Sequence, residues 1–313
     1  MTGFGVPRDA YGEILSELGE TRKDIVVLDA DLSSSTKTSS FGKKFPDRFF
    51  NVGIAEQNMI GIAAGLSTTG KTVFASSFAM FAVGRVYDQI RQSIAYSKMN
   101  VKIVATHAGI TVGEDGVSHQ MIEDISLMCA LPNMKVIVPA DTFETKKTIR
   151  EISLEKGPTY VRLGRSKVPN VFNSEDEIKM GKASTLVDGG DITLISSGIM
   201  VSKSLEAAQM LKKDGISAEV INLSTLKPID RQGIIKSAKK TGCIVTAEEH
   251  NIYIGMGALV SSILCEEYPV PILRCGIKDT FAQSGDYELL MQIYNLTSDE
   301  ICKLSKNVIA MKR

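Results

Sequence analysis

Residues 101–120 read VKIVATHAGITVGEDGVSHQ. The first seven, Val101–His107, form a nearly continuous apolar run rather than an alternating one. That is the signature of a strand covered by helices on both faces. A polar, glycine-rich stretch follows, and then a helical pattern over His119–Ala130. A strand, a loop and a helix in this order build a parallel α/β sheet, with the loop at its carboxyl edge. Open sheets of this kind bind ligands at that edge. The stretch His107–Gln120 also holds two of the chain's three histidines, the acids Glu114 and Asp115, and the glycines 109, 113 and 116.

The same rhythm extends in both directions. Strand-like runs fall at Ile25–Asp31, Thr72–Ala75, Met134–Ala140 and Thr159–Leu163. Helical patterns lie at Ala55–Leu66, Ala79–Tyr96 and Thr142–Glu155. Residues 168–190 interrupt them with Pro169, Asn170, Asn173, the acids 175–177 and Gly189–Gly190, a composition that marks a linker. Strands then resume at Ile192–Ser197, Ala218–Leu223, Ile244–Glu248 and Val270–Arg274, among helices at Val201–Lys213, Arg231–Lys240, Gly257–Glu267, Tyr287–Tyr294 and Ser298–Lys312. The fold class expected is α/β, with two parallel-sheet domains at 1–167 and 191–313.

A chain of 313 residues suits two such domains. Its 36 basic and 36 acidic side chains cancel. No excess charge therefore exists to grip nucleic acid or an anionic membrane. The five cysteines (129, 243, 265, 275, 302) show no metal or disulfide spacing, which suits a reducing compartment. With no signal-peptide pattern at the N-terminus and no long apolar run, the expected location is the cytoplasm.

Several residues invite chemistry, each with a plainer alternative. Glu56 falls in the first turn of a helix, where the helix dipole alone would favour it; it could also be a buried acid that shares a proton with a ligand. Phe78 and Phe81 share one helix face, as core pairs do, but Arg85, Tyr87, Asp88, Gln89 and Arg91 crowd the same helix with polar groups. His107, Asp115 and His119 could form a metal site, although their spacing matches no recognised ligand pattern. Arg8, before the first helix, and Arg162 and Arg165, after a strand, could be solvated cations or a phosphate clamp.

Together these stretches resemble the C-terminal half of transketolase, most closely the second subunit of split, two-gene transketolases. The motifs that carry the resemblance are DADLSSS (29–35), NVGIAEQNM (51–59), SSFAMFAVGRVYDQIR (76–91), ATHAGITVGEDGVSHQ (105–120), PNMKVIVPAD (132–141), YVRLGRS (160–166) and TAEEH (246–250). The resemblance implies a pyrimidine-binding domain of a thiamine diphosphate enzyme, followed by the family's C-terminal domain. It implies a transferase that moves a two-carbon ketol unit between sugar phosphates. The diphosphate-binding domain and its GDG…N motif are not found here. The cofactor would therefore be shared with an N-terminal partner subunit that binds Mg²⁺ or another divalent cation, in an α2β2 assembly, and this chain would hold no metal.

Residue by residue, the resemblance makes Glu56 the acid on the aminopyrimidine ring nitrogen. It makes Phe78 and Phe81 the ring's packing partners, with Asp31, Ile54 and Arg85 also on the cofactor. His119 and His107 would be catalytic. Arg8, Ser35, His107, Asp115, His119 and Arg165 would bind substrate. Gln57 stands where fused transketolases have a histidine, and Gly84 where they have a third aromatic contact. Two alternatives stay open. The chain could serve another thiamine enzyme, similar to deoxyxylulose-phosphate synthase or a 2-oxo-acid dehydrogenase beta subunit. It could also be a non-catalytic interaction subunit.

Overall fold

A computed structural model describes residues 3–312. Its larger sheet has seven strands, in the order Thr225–Lys227, Lys135–Ile137, Thr159–Arg162, Val101–Ala105, Thr72–Ser76, Ile25–Asp29 and Phe49–Asn51. All neighbours are parallel except Thr225–Lys227, which runs antiparallel to Lys135–Ile137. The central strands are buried along their whole length. Side chains alternate across a strand, so each strand feeds two cores. Val27, Phe74, Val104 and Val161 meet Tyr11, Ile14, Leu15, Ile149 and Ile152 on one face. Leu28, Val73, Ala75, Ile103 and Tyr160 meet Met59, Ile60, Val86, Ile90 and Ile125 on the other.

The second sheet runs Ile272–Ile277, Ile244–Asn251, Ile192–Ser196, Ala218–Asn222 and Ser184–Val187. Its first four strands are parallel and the last is antiparallel. The α/β class with mainly parallel sheets is as the sequence leads one to expect. No helix among the described residues is long and apolar enough to cross a membrane.

Four local features differ from the sequence reading. Arg8 does not precede the first helix but sits inside it, since the helix starts at Pro7 and runs to Thr21. Proline is at home in that first position because its missing N–H has no helical partner there. The helix expected over 79–96 is broken. Its first segment ends at Val83, Gly84–Val86 is a 3₁₀ turn, and Ile90–Tyr96 is a π-helix. Gly84 between two β-branched valines is weak helix material. The helix expected from His119 begins only at Asp124. Residues 121 and 122 are claimed elsewhere: the Gly109 N–H donates to the Met121 carbonyl at 2.8 Å and the Asn251 N–H to that of Ile122 at 3.0 Å. Finally, residues 168–190 contain two strands: Val168–Pro169, which pairs with Phe4–Gly5, and Ser184–Val187.

One buried cation ties the halves together. Arg162, 5% exposed, donates from Nε to Asp124 at 2.9 Å and from Nη2 to the Glu249 carbonyl at 2.8 Å. The Tyr160 hydroxyl donates to the same Asp124 oxygen at 2.7 Å. Arg162 is thus a structural group, not a clamp at the ligand edge. Removing one partner of a buried pair strands the other charge and costs about 3–5 kcal/mol. Asp124→Ala is expected to lower stability by that amount in chemical denaturation; a loss under about 1 kcal/mol would mean that the guanidinium finds water instead.

Candidate active site

Because the strands are parallel, their carboxyl ends line one edge. Adjacent strands deliver Arg165 (after Thr159–Arg162), His107 (after Val101–Ala105), Phe78 to Arg85 (after Thr72–Ser76), Asp31 and Ser35 (after Ile25–Asp29), and Ile54 and Glu56 (after Phe49–Asn51). Residues spread over more than 130 positions thus line the same edge.

The contacts along that row are continuous. Nη1 of Arg8 donates to the Ser35 carbonyl at 3.0 Å and lies 3.3 Å from Nε2 of His107. The His107 ring stacks on Phe78 with centroids 3.7 Å apart. Phe78 lies 6.1 Å from Phe81, with the two rings nearly parallel. His119 sits edge-on to Phe81 at 5.2 Å. The Arg85 guanidinium covers the Phe81 ring at 4.4 Å. It also reaches both oxygens of Glu56, at 3.0 and 3.1 Å. Glu56 is 3% exposed, whereas the Arg85 side chain is half-exposed. A buried acid is therefore held by a half-exposed cation.

Support comes from beneath. Asp29, buried, accepts from the Leu32 N–H and from the Thr36 and Thr38 hydroxyls at 2.7–2.8 Å. These bonds shape the DADLSSS loop so that Ser35 meets Arg8, and burial raises the Asp29 carboxyl above its usual range. His107 adopts a left-handed backbone (φ 57°), a strained conformation typical of functional sites. Burial first, then Arg8, Arg165, His119 and Lys37, push its imidazole down to about 3. The ring is therefore neutral. Since Arg8 can only donate, Nε2 accepts, and Nδ1 carries the proton toward the Thr106 hydroxyl at 2.8 Å.

The other expected residues stand around this strip. Arg165 donates to the Val112 carbonyl and to Glu114 at 3.1 Å. Asp115 is exposed on the 110–115 turn. Asp31 and Ile54 form a separate ridge. Asp31 exchanges two hydrogen bonds with Asn51, at 2.9 and 3.1 Å, and Ile54 is 78% exposed. Sequence reasoning missed Thr106, Asp29 and Asp124. Thr106 and Asp29 are polar residues at strand ends inside quoted motifs, and that was the available signal; Asp124, at a helix start, lies outside every quoted motif.

The family described as the transketolase pyrimidine-binding domain matches residues 7–171, and the transketolase C-terminal domain matches residues 181–301. The chain belongs to the transketolase family. Its pyrimidine-domain match covers the strip, and its C-terminal match covers every strand of the second sheet. Membership implies dependence on thiamine diphosphate.

Among its relatives, a Methanocaldococcus jannaschii chain provisionally named a transketolase C-terminal section is 52% identical over 95% of this chain and 94% of its own length. The 6-deoxy-6-sulfo-D-fructose transketolase subunit SqwH of Clostridium sp. is 40% identical over 97% of this chain and 95% of its own. A solved structure described as a split-gene transketolase, an inactive β4 tetramer, superposes with a TM-score of 0.92 at 50% identity, covering 98% of this chain and 99% of that one. This transketolase-family chain therefore falls among split C-terminal subunits.

Neutral His107 gives a test that needs no substrate. Its folded pKa of about 3 lies below the ordinary 6.5. Below pH 6.5 the unfolded chain then binds the extra proton, so this stabilising contribution is complete above that pH and declines toward pH 3. Ring chemical shifts of His107 followed by NMR are expected to stay flat from pH 5 to 8. A midpoint near 6.5 would contradict the buried, Arg8-facing geometry.

Proposed function

We propose that the chain is the C-terminal half of a two-chain transketolase. With an N-terminal partner subunit it transfers a two-carbon ketol unit from a ketose phosphate to an aldose phosphate. The observation that carries this reading is the order of groups along the strip. A buried acid and two aromatic rings stand at one end, and a cluster of cations around a neutral histidine stands at the other.

The acid end suits the aminopyrimidine of thiamine diphosphate. Glu56 needs only Arg85 to swing away to present a carboxyl to a ring nitrogen, and Phe78 and Phe81 offer flat faces beside it. Asp31 and Ile54 are assigned to the cofactor from the neighbouring ridge, with Arg85 retained as a contact. When bound, the cofactor supplies a nucleophilic carbon that takes up and hands on a ketol unit. This chain's part is to hold and move the proton at the pyrimidine nitrogen through Glu56. The diphosphate and its divalent cation are assigned to the partner. Hard cations need several oxygen ligands, and among the described residues no three His, Cys, Asp or Glu side chains gather into such a site.

The cationic end suits a sugar phosphate. Arg8 and Arg165 are the phosphate donors, with the Ser35 turn beside them. Neutral His107 and the exposed Asp115 face substrate hydroxyls. His119, against the aromatic pair, stands between the two ends, where a proton must reach the substrate oxygen. The names of relatives such as the sulfofructose subunit support a phosphorylated or similarly anionic ketose without fixing which one. An α2β2 assembly is the closed symmetric arrangement expected when a site is split between chains.

The test is on Glu56. General acid–base steps are worth about 10²–10⁴ in rate. In the enzyme reassembled with its partner, Glu56→Ala and Glu56→Gln are both expected to lose ketol transfer by that order. Hydrogen–deuterium exchange at the cofactor's thiazolium carbon should slow in parallel. Wild-type exchange in the alanine variant would refute the assignment.

A further inference from the structure

The second half of the chain contributes nothing to the row of site residues, yet it grips the loop that carries Asp115 and His119. Beneath the loop lies Glu249, 5% exposed, on the strand Ile244–Asn251. Its Oε1 accepts from the Thr111 N–H at 2.7 Å. The carboxyl packs so tightly under Gly109 that a Cβ there would lie 2.1–2.4 Å from its atoms, and Gly109 has φ 80°. No other residue fits that position without displacing the glutamate. Arg162 holds Glu249 from behind: its Nη1 lies 3.8 Å from the carboxylate and its Nη2 donates to the carbonyl.

From the opposite side a second segment, just before the helix Tyr287–Ile293, closes over the loop. The Ser284 hydroxyl donates to the Glu114 carbonyl at 2.5 Å. Gln120 donates to the Gln283 carbonyl at 3.0 Å. The Gly285 carbonyl lies 3.4 Å from where a Cβ of Gly113 would stand. The loop itself has little internal regularity. Its glycines 109, 113 and 116 all take positive φ, and its carbonyls at 111 and 112 are held by Ser166 and Arg165.

We propose that the second half of the chain is a positioning element for this loop, with Glu249 as its principal positioning residue. The substrate part of this idea rests on the function proposed above; the mechanical part does not. Glu249 fixes the backbone at Thr111, and the 283–285 segment fixes the far end at Glu114. Between them they set where Asp115 and His119 point. A loop positioned in this way binds substrate with less entropy to lose.

Two measurements separate the mechanical claim from the functional one. In the isolated chain, Glu249→Ala is expected to speed amide exchange across residues 109–118 by about tenfold or more, leaving 56–66 and 78–85 unchanged. Glu249→Gln, which keeps an oxygen for the Thr111 N–H, is expected to restore protection. In the reassembled enzyme, Glu249→Ala should raise KM for the sugar-phosphate donor about tenfold, with a smaller effect on kcat. If Glu249→Ala fails to fold, Ser284→Ala, on the exposed side, should speed exchange at 114–118. A lower melting temperature with loop exchange and KM both unchanged would make Glu249 merely structural and overturn the proposal. Faster loop exchange with an unchanged KM would uphold the brace and count instead against the sugar-binding role of the loop.

Discussion

A guanidinium with almost no access to water must be neutralised by protein, and Arg162 is neutralised from both halves of the chain. Asp124 comes from the start of a helix in the first half. Glu249 comes from a strand in the second. Burial pushes the Glu249 carboxyl upward, opposed chiefly by Arg162 and by the Thr111 N–H. The node exists only when both sheets are assembled and docked. Once formed, it fixes the floor of the loop over 109–116. The same strand turns Glu248 toward the Met256 and Gly257 N–H groups, at 2.6 and 2.8 Å. Two successive carboxylates thus point to opposite sides, one to brace the loop and one to cap a helix.

Above this floor the edge is electrically divided. Arg8, Arg165 and Lys37 surround a neutral His107, while Glu56 is a buried acid balanced by a half-exposed arginine. A phosphate suits the first environment and an aminopyrimidine the second, about the distance of two stacked rings away. The Arg85–Glu56 pair gives the buried acid a counter-charge within the chain. A buried carboxylate without any partner would be costly, so the arginine compensates the acid from within the chain.

The α/β class was legible in the sequence because parallel strands buried on both faces read as unbroken apolar runs, as in Val101–His107. The meeting of candidate residues at one sheet edge was legible where a residue lies at or just after the end of such a run, as His107 and Arg165 do; Ile54 and Glu56 instead follow Phe49–Asn51, a short strand that is not buried and lacks that signature. What the sequence hid depends on long-range partners. Arg162 and Arg165 are three residues apart and chemically alike; Asp124, nearly forty positions away, buries the first and leaves the second at the edge. Thr225–Lys227 has no strand signature of its own and exists because Lys135–Ile137 offers it an open edge. The break at Val83–Val86 was hidden because polar and apolar residues keep helical spacing across it, although Gly84 permits the kink that brings Arg85 to Glu56. The later start of the helix at Asp124 follows from Gly109 and Asn251 taking the carbonyls that an earlier turn would have used.

The central claim is that the chain carries half a site, the pyrimidine and sugar end, and depends on a partner for the rest. The most direct measurement is isothermal calorimetry with thiamine diphosphate and Mg²⁺, first on this chain alone and then on its complex with the N-terminal subunit. The account predicts little or no tight binding to the isolated chain, and tight, Mg²⁺-dependent binding to the complex. Tight, Mg²⁺-dependent binding to the isolated chain would contradict it.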